Sequence, residues 1–387
     1  MKSCSVKNKA SCLKSQRCKW NDSKCKSICK NNQYYNLKKK RCKQKRNESY
    51  SKLIKCPNFK FLGNGVYGCV VKPAIENNPH IDIYINQNFS KTNNNTVGKI
   101  FKREKDFVRE LKISKFVNKI DPKSTFTVKM TSASKISKDI LKCNEKLRSC
   151  LKLNNNFNYY QIAYEYGGVD LTHNFDLEYK QFLNVFTKFI KGMVLLSKIG
   201  YVHWDIKSDN VLIKKNKISL IDYGLMIKAS ELFNGEYNLK NHDYYPDEFR
   251  IAAKYIDNNI HLRDADAFEK YTNYILERNN VSNDLKTFFV ENKNKQFYEV
   301  FTKEIALKGD VYAISFILEK LKNKITNLKY DDNRFLSYLI QRCRDKNPKT
   351  RYTMIQLFNN LVYRLKKMKS QKGGSDLFLQ STQCFKP

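Results

Sequence analysis

The 387-residue chain contains no run of about 18 apolar residues, so none of its helices is expected to cross a bilayer. Met1 to Ala10 include no apolar stretch, and no secretory signal is expected there. Acidic residues are few: 37 Asp and Glu stand against 73 Lys and Arg, giving a formal net charge of +36. Such a field favours polyanions, whether nucleic acid, acidic protein segments or anionic membrane surfaces. Yet the basic residues are spread along the chain, with no strictly basic helix and no zinc-finger or other nucleic-acid module. Abundant Lys, Asn and Ile also fit the codon bias of an AT-rich genome, so the charge has two readings.

Histidine is missing from residues 1–56, although these hold seven of the twelve cysteines: Cys4, Cys12, Cys18, Cys25, Cys29, Cys42 and Cys56. Zinc would have to be held without histidine and with one short pair, Cys25 and Cys29. Disulfides would need an oxidising environment, without an export signal to reach one. A basic arm with free thiols is the third reading, and all three stay open. An odd number leaves at least one thiol unpaired within the segment. Trp20 and the pair Tyr34 and Tyr35 are nearly its only large aromatics, so it cannot bury a core unaided.

The rest of the chain can. Hydrophobic residues make up 41% of the sequence, with 24 Phe and 24 Tyr. Its most informative stretch is Tyr201-Val202-His203-Trp204-Asp205-Ile206-Lys207-Ser208-Asp209-Asn210, followed by Asp222-Tyr223-Gly224. Phosphoryl transfer needs a carboxylate near the attacking hydroxyl, a cation that follows the moving phosphate, and oxygen ligands for magnesium. Asp205, Lys207, Asn210 and Asp222 supply that set. Upstream, Leu62-Gly63-Asn64-Gly65-Val66-Tyr67-Gly68-Cys69-Val70 spaces its glycines so that a hairpin backbone can approach phosphates. Val70, Val71 and Pro73 favour a second strand over the helix that a dinucleotide-binding turn requires. Val97-Gly98-Lys99-Ile100-Phe101 is a short apolar strand with one internal lysine. Phe107, Leu111, Ile113, Phe116 and Val117 then recur at helical spacing.

Taken in order, these segments resemble eukaryotic-type Ser/Thr protein kinases, over roughly residues 58–365. The resemblance implies an α+β, two-lobed fold with a small β-rich lobe and a large helical lobe, here preceded by a Cys-rich N-terminal extension. It implies ATP and Mg2+ as cofactors and protein hydroxyls as acceptors. Leu62, Gly63, Gly65, Gly68 and Val70 would cover the nucleotide, and Lys99 would hold its α- and β-phosphates. Glu110 would orient Lys99, with Glu104 as runner-up. The purine would bond the backbone from Glu165 to Gly167, Tyr164 would stand at the gate of the back pocket, and Asp170 would reach the ribose. Asp205 would take the proton of the acceptor, Lys207 would neutralise the γ-phosphate, and Asn210 and Asp222 would hold the metal. Lysine two residues after the catalytic aspartate resembles Ser/Thr rather than tyrosine kinases.

Further out, Pro246-Asp247-Glu248 stands where the family has Ala-Pro-Glu, with Arg351 as the expected partner of Glu248. Asp310 resembles the aspartate that supports the catalytic loop. Trp204 departs from the family, which often has an arginine there to pair with a phosphorylated activation segment; tryptophan cannot do this. The expected organisation is a Cys-rich basic module at 1–56, a kinase-like domain at 57–365, and a basic tail at 366–387. Within the domain the small lobe spans about 58–165 and the large lobe about 166–365. A polar loop is expected at 76–96. An insert at about 257–302 is expected to form surface helices and loops. Residues 178–199, with Phe182, Phe186, Phe189, Met193 and Leu196 on one stripe, predict a core-facing helix.

Long inserts and Asn/Lys-rich loops are also similar to those of kinases from large DNA viruses. That likeness implies a place in the virion or host cytoplasm, and otherwise the cytoplasm, for a monomer without a membrane span. Two other function classes compete. A pseudokinase scaffold would bind nucleotide without transferring phosphate. A polyanion-binding protein with a kinase-shaped body would lose its partner steeply with salt.

Overall fold

The computed structural model describes residues 18–21, 24–27, 33–36, 41–44, 57–65, 68–75, 95–154, 156–173, 176–232, 242–256, 267–295 and 297–370. It divides into two compact units, Met1–Asn58 and Phe59–Pro387. In the first, β1 (Cys18–Asn21) pairs antiparallel with β2 (Lys24–Ser27), and β3 (Gln33–Asn36) with β4 (Arg41–Gln44). Trp20 lies opposite Cys25, and Tyr35 opposite Cys42. The choice among zinc, disulfides and free thiols in this unit lies outside the described residues.

The second unit begins with an antiparallel sheet in the order β5-β6-β7-β9-β8. Its strands are β5 (Lys60–Asn64), β6 (Gly68–Lys72), β7 (Thr96–Phe101), β8 (Met130–Ile136) and β9 (Tyr159–Glu165). The expected loop between β6 and β7 lies largely outside the described residues. α1 (Glu104–Ile120) packs on one face, where Phe107 and Leu111 join Phe101, Tyr160 and Ile162 in one cluster. Phe107 stacks on Tyr160 with ring centroids 4.7 Å apart. A second cluster joins Cys69, Val71 and Ile100 to Leu141 of α2 (Lys138–Lys142) and to Leu147 and Leu151 of α3 (Glu145–Leu151). A disulfide between Cys69 and Cys150 ties β6 to α3, with Cα atoms 6.2 Å apart.

Asp121 ends α1 and organises the turn from Thr125 to Thr127. Its Oδ1 accepts the amide and hydroxyl of Thr125, at 2.7 and 2.9 Å. Its Oδ2 accepts the amides of Phe126 and Thr127 and the hydroxyl of Thr127, at 3.0, 3.1 and 2.7 Å. Burial alone would favour the neutral acid, but these donors outweigh it and hold the carboxyl below its ordinary range.

The helical part is built on α4 (Tyr179–Lys198), where Phe182, Phe186, Phe189 and Ile190 are fully buried. The aromatic stripe read from the sequence is therefore core. α5 (Asp247–Ile256), α6 (Ala267–Leu276), α7 (Asn283–Val290), α8 (Phe297–Val300), α9 (Lys303–Lys322), α10 (Tyr330–Cys343) and α11 (Met354–Ser370) complete the helices of the described residues. α11 runs past residue 365, the expected end of the domain.

The expected surface insert needs correction. Phe268, Tyr271, Ile275, Leu285, Phe288, Phe289 and Phe301 are buried in one core with Trp204, Tyr245 and Phe249. Among the described residues of the segment, Thr272 and Asn292 are buried as well, and its aromatics extend the hydrophobic interior around Trp204. Burying that much aromatic area makes it a structural layer rather than an appendage.

Candidate active site

Lys99 sits on β7, whose alternating burial turns its side chain away from the sheet core. Its ammonium donates to Glu110 Oε2 at 2.6 Å and to Asp222 Oδ1 at 2.8 Å. Burial favours the neutral amine, yet the two carboxylates prevail and raise its pKa, so the charge is kept. Burial pushes the Glu110 carboxyl up to about 7, with Lys99 pulling the other way. The tyrosine expected at the gate is part of the same network: Tyr164 donates to Glu110 Oε1 at 3.1 Å and lies 2.9 Å from the Ser114 hydroxyl. That link fixes Glu110 from its second oxygen. Glu104, the runner-up, is exposed at the first turn of α1.

Two backbone positions shape the loops that carry the side chains expected to be catalytic. Asp222 has φ 62° and Trp204 φ 60°, both left-handed and rare for such residues. Asp310 holds the second by accepting the His203 amide at 2.7 Å and the Trp204 amide at 3.1 Å. The indole packs between Tyr245 and Phe249, each with ring centroids 4.9 Å away, and the Tyr245 hydroxyl donates to the Trp204 carbonyl at 2.5 Å. Gly309 makes room for it: a Cβ there would lie 2.8 Å from Cζ3 of Trp204. Hydrophobic contact thus joins the catalytic loop to the segment ending at Glu248, which Arg351 anchors through bonds of 2.5 and 3.1 Å. His203 is fully buried and its pKa falls to about 4, chiefly through burial. The neutral ring donates Nε2–H to the Ile221 carbonyl at 3.1 Å.

Asp205 is also buried. Asn210 Nδ2 donates to its Oδ2 at 2.8 Å and to its carbonyl at 2.9 Å, while Lys207 Nζ lies 3.2 Å from Oδ1. Tyr244 donates to the same Oδ1 at 2.6 Å. No local pattern in the sequence marks Tyr244, which reaches Asp205 only through the fold.

The glycine-rich hairpin is β5 and β6. A Cβ at Gly68 would lie 2.2 Å from the Ile100 carbonyl oxygen, so this strand needs glycine to pair closely with β7. At Gly63 nothing lies within 4 Å of a Cβ position, and at Gly65 the nearest atom is 3.9 Å away, leaving a cradle of open backbone. Leu62 is 44% exposed and Val70 half-buried at the hairpin's sides. At the opposite wall, the amides of Glu165 and Tyr166 already donate to the Lys129 and Asn95 carbonyls. Among the described residues the Gly167 amide has no acceptor, so a purine would find its donor there rather than at Glu165. Asp170 Oδ1 accepts from the amide of Thr172 at 2.8 Å and also meets the Thr172 hydroxyl and the His173 ring, which commits that oxygen to its own turn.

Oxygen ligands for a metal are present but few. Asp222 gives Oδ1 to Lys99 and keeps Oδ2, and Asn210, whose nitrogen is engaged, keeps its amide oxygen. Among the described residues no group of three or more His, Cys, Asp or Glu forms a metal site. Two oxygens with shell positions left for phosphates fit Mg2+ rather than a dedicated all-protein cage. Lys99, in register opposite Val70 of the glycine hairpin, fits a polyphosphate.

A family model described as protein tyrosine and serine/threonine kinase matches residues 58–266. No curated protein matches the chain.

Proposed function

The chain belongs to the protein tyrosine and serine/threonine kinase family, and from that premise we propose that it transfers the γ-phosphate of ATP to protein hydroxyls, on serine and threonine. The observation that carries this reading is the Lys99 ammonium shared between Glu110 and Asp222. An intact pair of this kind is what phosphoryl transfer by a kinase requires.

In this reading Gly63, Gly65 and Gly68 give their backbone to the phosphates, and Leu62 and Val70 flank the purine. Glu110 orients Lys99 toward the α- and β-phosphates. Asn210 and Asp222 would hold Mg2+, which supplies charge neutralisation along the polyphosphate. Asp205, fixed through Oδ2 by Asn210, accepts the acceptor's proton. Lys207 stabilises the charge of the transferring phosphoryl group. Asp205 and Asn210, buried and bonded to each other, do this with little rearrangement, and Trp204 holds the loop without any phosphate on the segment.

The test is the full chain with Mg2+, γ-labelled ATP, and casein and a basic protein as acceptors. Label recovered on serine or threonine after hydrolysis supports the reading. Nucleotide binding without label on any acceptor contradicts it and leaves a scaffold.

A further inference from the structure

Glu110 is the partner of Lys99 in the proposed reaction, and both of its oxygens are engaged. Oε2 receives the Lys99 ammonium at 2.6 Å, and Oε1 receives the Tyr164 phenol at 3.1 Å. Among the described residues no other donor meets Oε1. The Ser114 hydroxyl lies 2.9 Å from the same phenol oxygen. With the phenol's proton directed at the carboxylate, Ser114 is the donor in that bond. Glu110 and Ser114 are both buried, at 2% and 1% exposure.

Two periodicities bring these four side chains together. In the sheet, Val97 lies opposite Tyr164 and Lys99 opposite Ile162. Lys99 and Tyr164 are thus diagonal neighbours on one face of β7 and β9. In α1, which packs on that face, Glu110 and Ser114 stand one helical turn apart on the same side. β9 is paired on both sides, with β7 and β8, so the backbone of Tyr164 is fixed. Its side chain packs against the clusters of both Phe107 and Phe126. Burial, and then the negative charge of Glu110, raise the phenol's pKa, so it keeps the proton it donates. A second donor matters because the lysine serves two carboxylates, Glu110 and Asp222. The terminal torsion of a glutamate is broad, and one lysine that is itself shared leaves it free to turn. A donor on the other oxygen removes that freedom.

We propose that the Tyr164 hydroxyl is a positioning group for phosphoryl transfer: from β9 it fixes Glu110 against Lys99, and Ser114 holds the phenol in turn. The inference rests on the kinase reading and deepens it by adding to the Lys99 pair a residue that acts through Glu110. The hydroxyl carries the effect rather than the bulk of the ring, which phenylalanine would keep.

The experiment measures casein phosphorylation by the full chain over a range of MgATP concentrations. The variants are Tyr164→Phe, Glu110→Ala and the two combined, with melting temperatures to establish that each is folded in the assay. Tyr164→Phe removes one hydrogen bond to a charged group, so kcat is expected to fall by about tenfold. The KM for ATP should stay at its wild-type value, because Lys99 and the glycine hairpin remain. In the Glu110→Ala background, read at high enzyme concentration, adding Tyr164→Phe should cause no further loss, because the hydroxyl has nothing left to hold. Should Tyr164→Phe be unfolded in the assay, Ser114→Ala takes its place in the same cycle. Its smaller loss of kcat should again vanish beside Glu110→Ala. A Tyr164→Phe turnover equal to wild type, or an equal loss in both backgrounds, overturns the inference and leaves the kinase reading standing. A wild type that binds MgATP without labelling casein removes both.

Discussion

At the scale of single residues, Trp204 explains how the catalytic loop keeps its shape. A bulky side chain at positive φ stores roughly 1–3 kcal/mol of strain, which the surroundings must offset. Asp310 does so with two amide bonds, and Gly309 by leaving room for the indole. Gly309→Ala would overpack this contact. It is expected to cost about 1–3 kcal/mol and to lower the transfer rate, as thermal denaturation and steady-state assays would show. Asp310 also carries a pH signature. Burial raises its carboxyl from an ordinary 3.8 to about 6, despite the His203 and Trp204 amides. The native state therefore binds this proton more strongly than the unfolded chain between those values, so stability contributed here falls as pH rises through the window. Asp310→Asn should remove that slope from denaturant midpoints measured across it. The role of Trp204 was only half legible: the sequence showed that it could not read a phosphate, but not that aromatics of the segment and insert enclose it.

Elements add a second layer. α1 carries Glu110, and its C-terminal end is fixed by the five donors gathered on Asp121. Asp121→Ala would leave the buried amides of Phe126 and Thr127 and the buried Thr127 hydroxyl unpaired, at an expected cost of about 3 kcal/mol. The transfer rate should fall as well, because α1 would no longer hold Glu110 on Lys99. Since the Asp121 carboxyl is held below its usual range, its stabilisation is present above the unfolded pKa and lost as pH falls through the native one. The Cys69–Cys150 bridge has a sequence separation of 81, a loop whose closure is worth up to about 4 kcal/mol. Cys150→Ser should lower the melting temperature, and added reductant should lower the wild type's by more than the variant's. Helical and strand periodicity made α1, α4 and the glycine hairpin readable. Disulfide partners and the depth of the 257–302 segment were not, because pairing over such separations and burial of short, interrupted aromatic patterns are decided by tertiary packing rather than local spacing.

For the whole molecule, the net charge of +36 and the separate unit of residues 1–58 raise the question of polyanions. If the N-terminal lysines bind them, deleting residues 1–56 should flatten the dependence of log affinity on log salt for a generic polyanion such as heparin, while both forms lose affinity as salt rises. An unchanged slope would leave the lysines there as composition. The central claim, however, is phosphoryl transfer through Asp205, and it has a direct measurement: the rate of phosphate transfer from ATP to casein by wild type and by Asp205→Asn, alongside nucleotide affinity and melting temperature. The predicted result is transfer by the wild type that falls by about 10²–10⁴-fold in the variant, with both controls preserved. Equal rates in the two proteins, or no transfer by a wild type that binds MgATP, would contradict it.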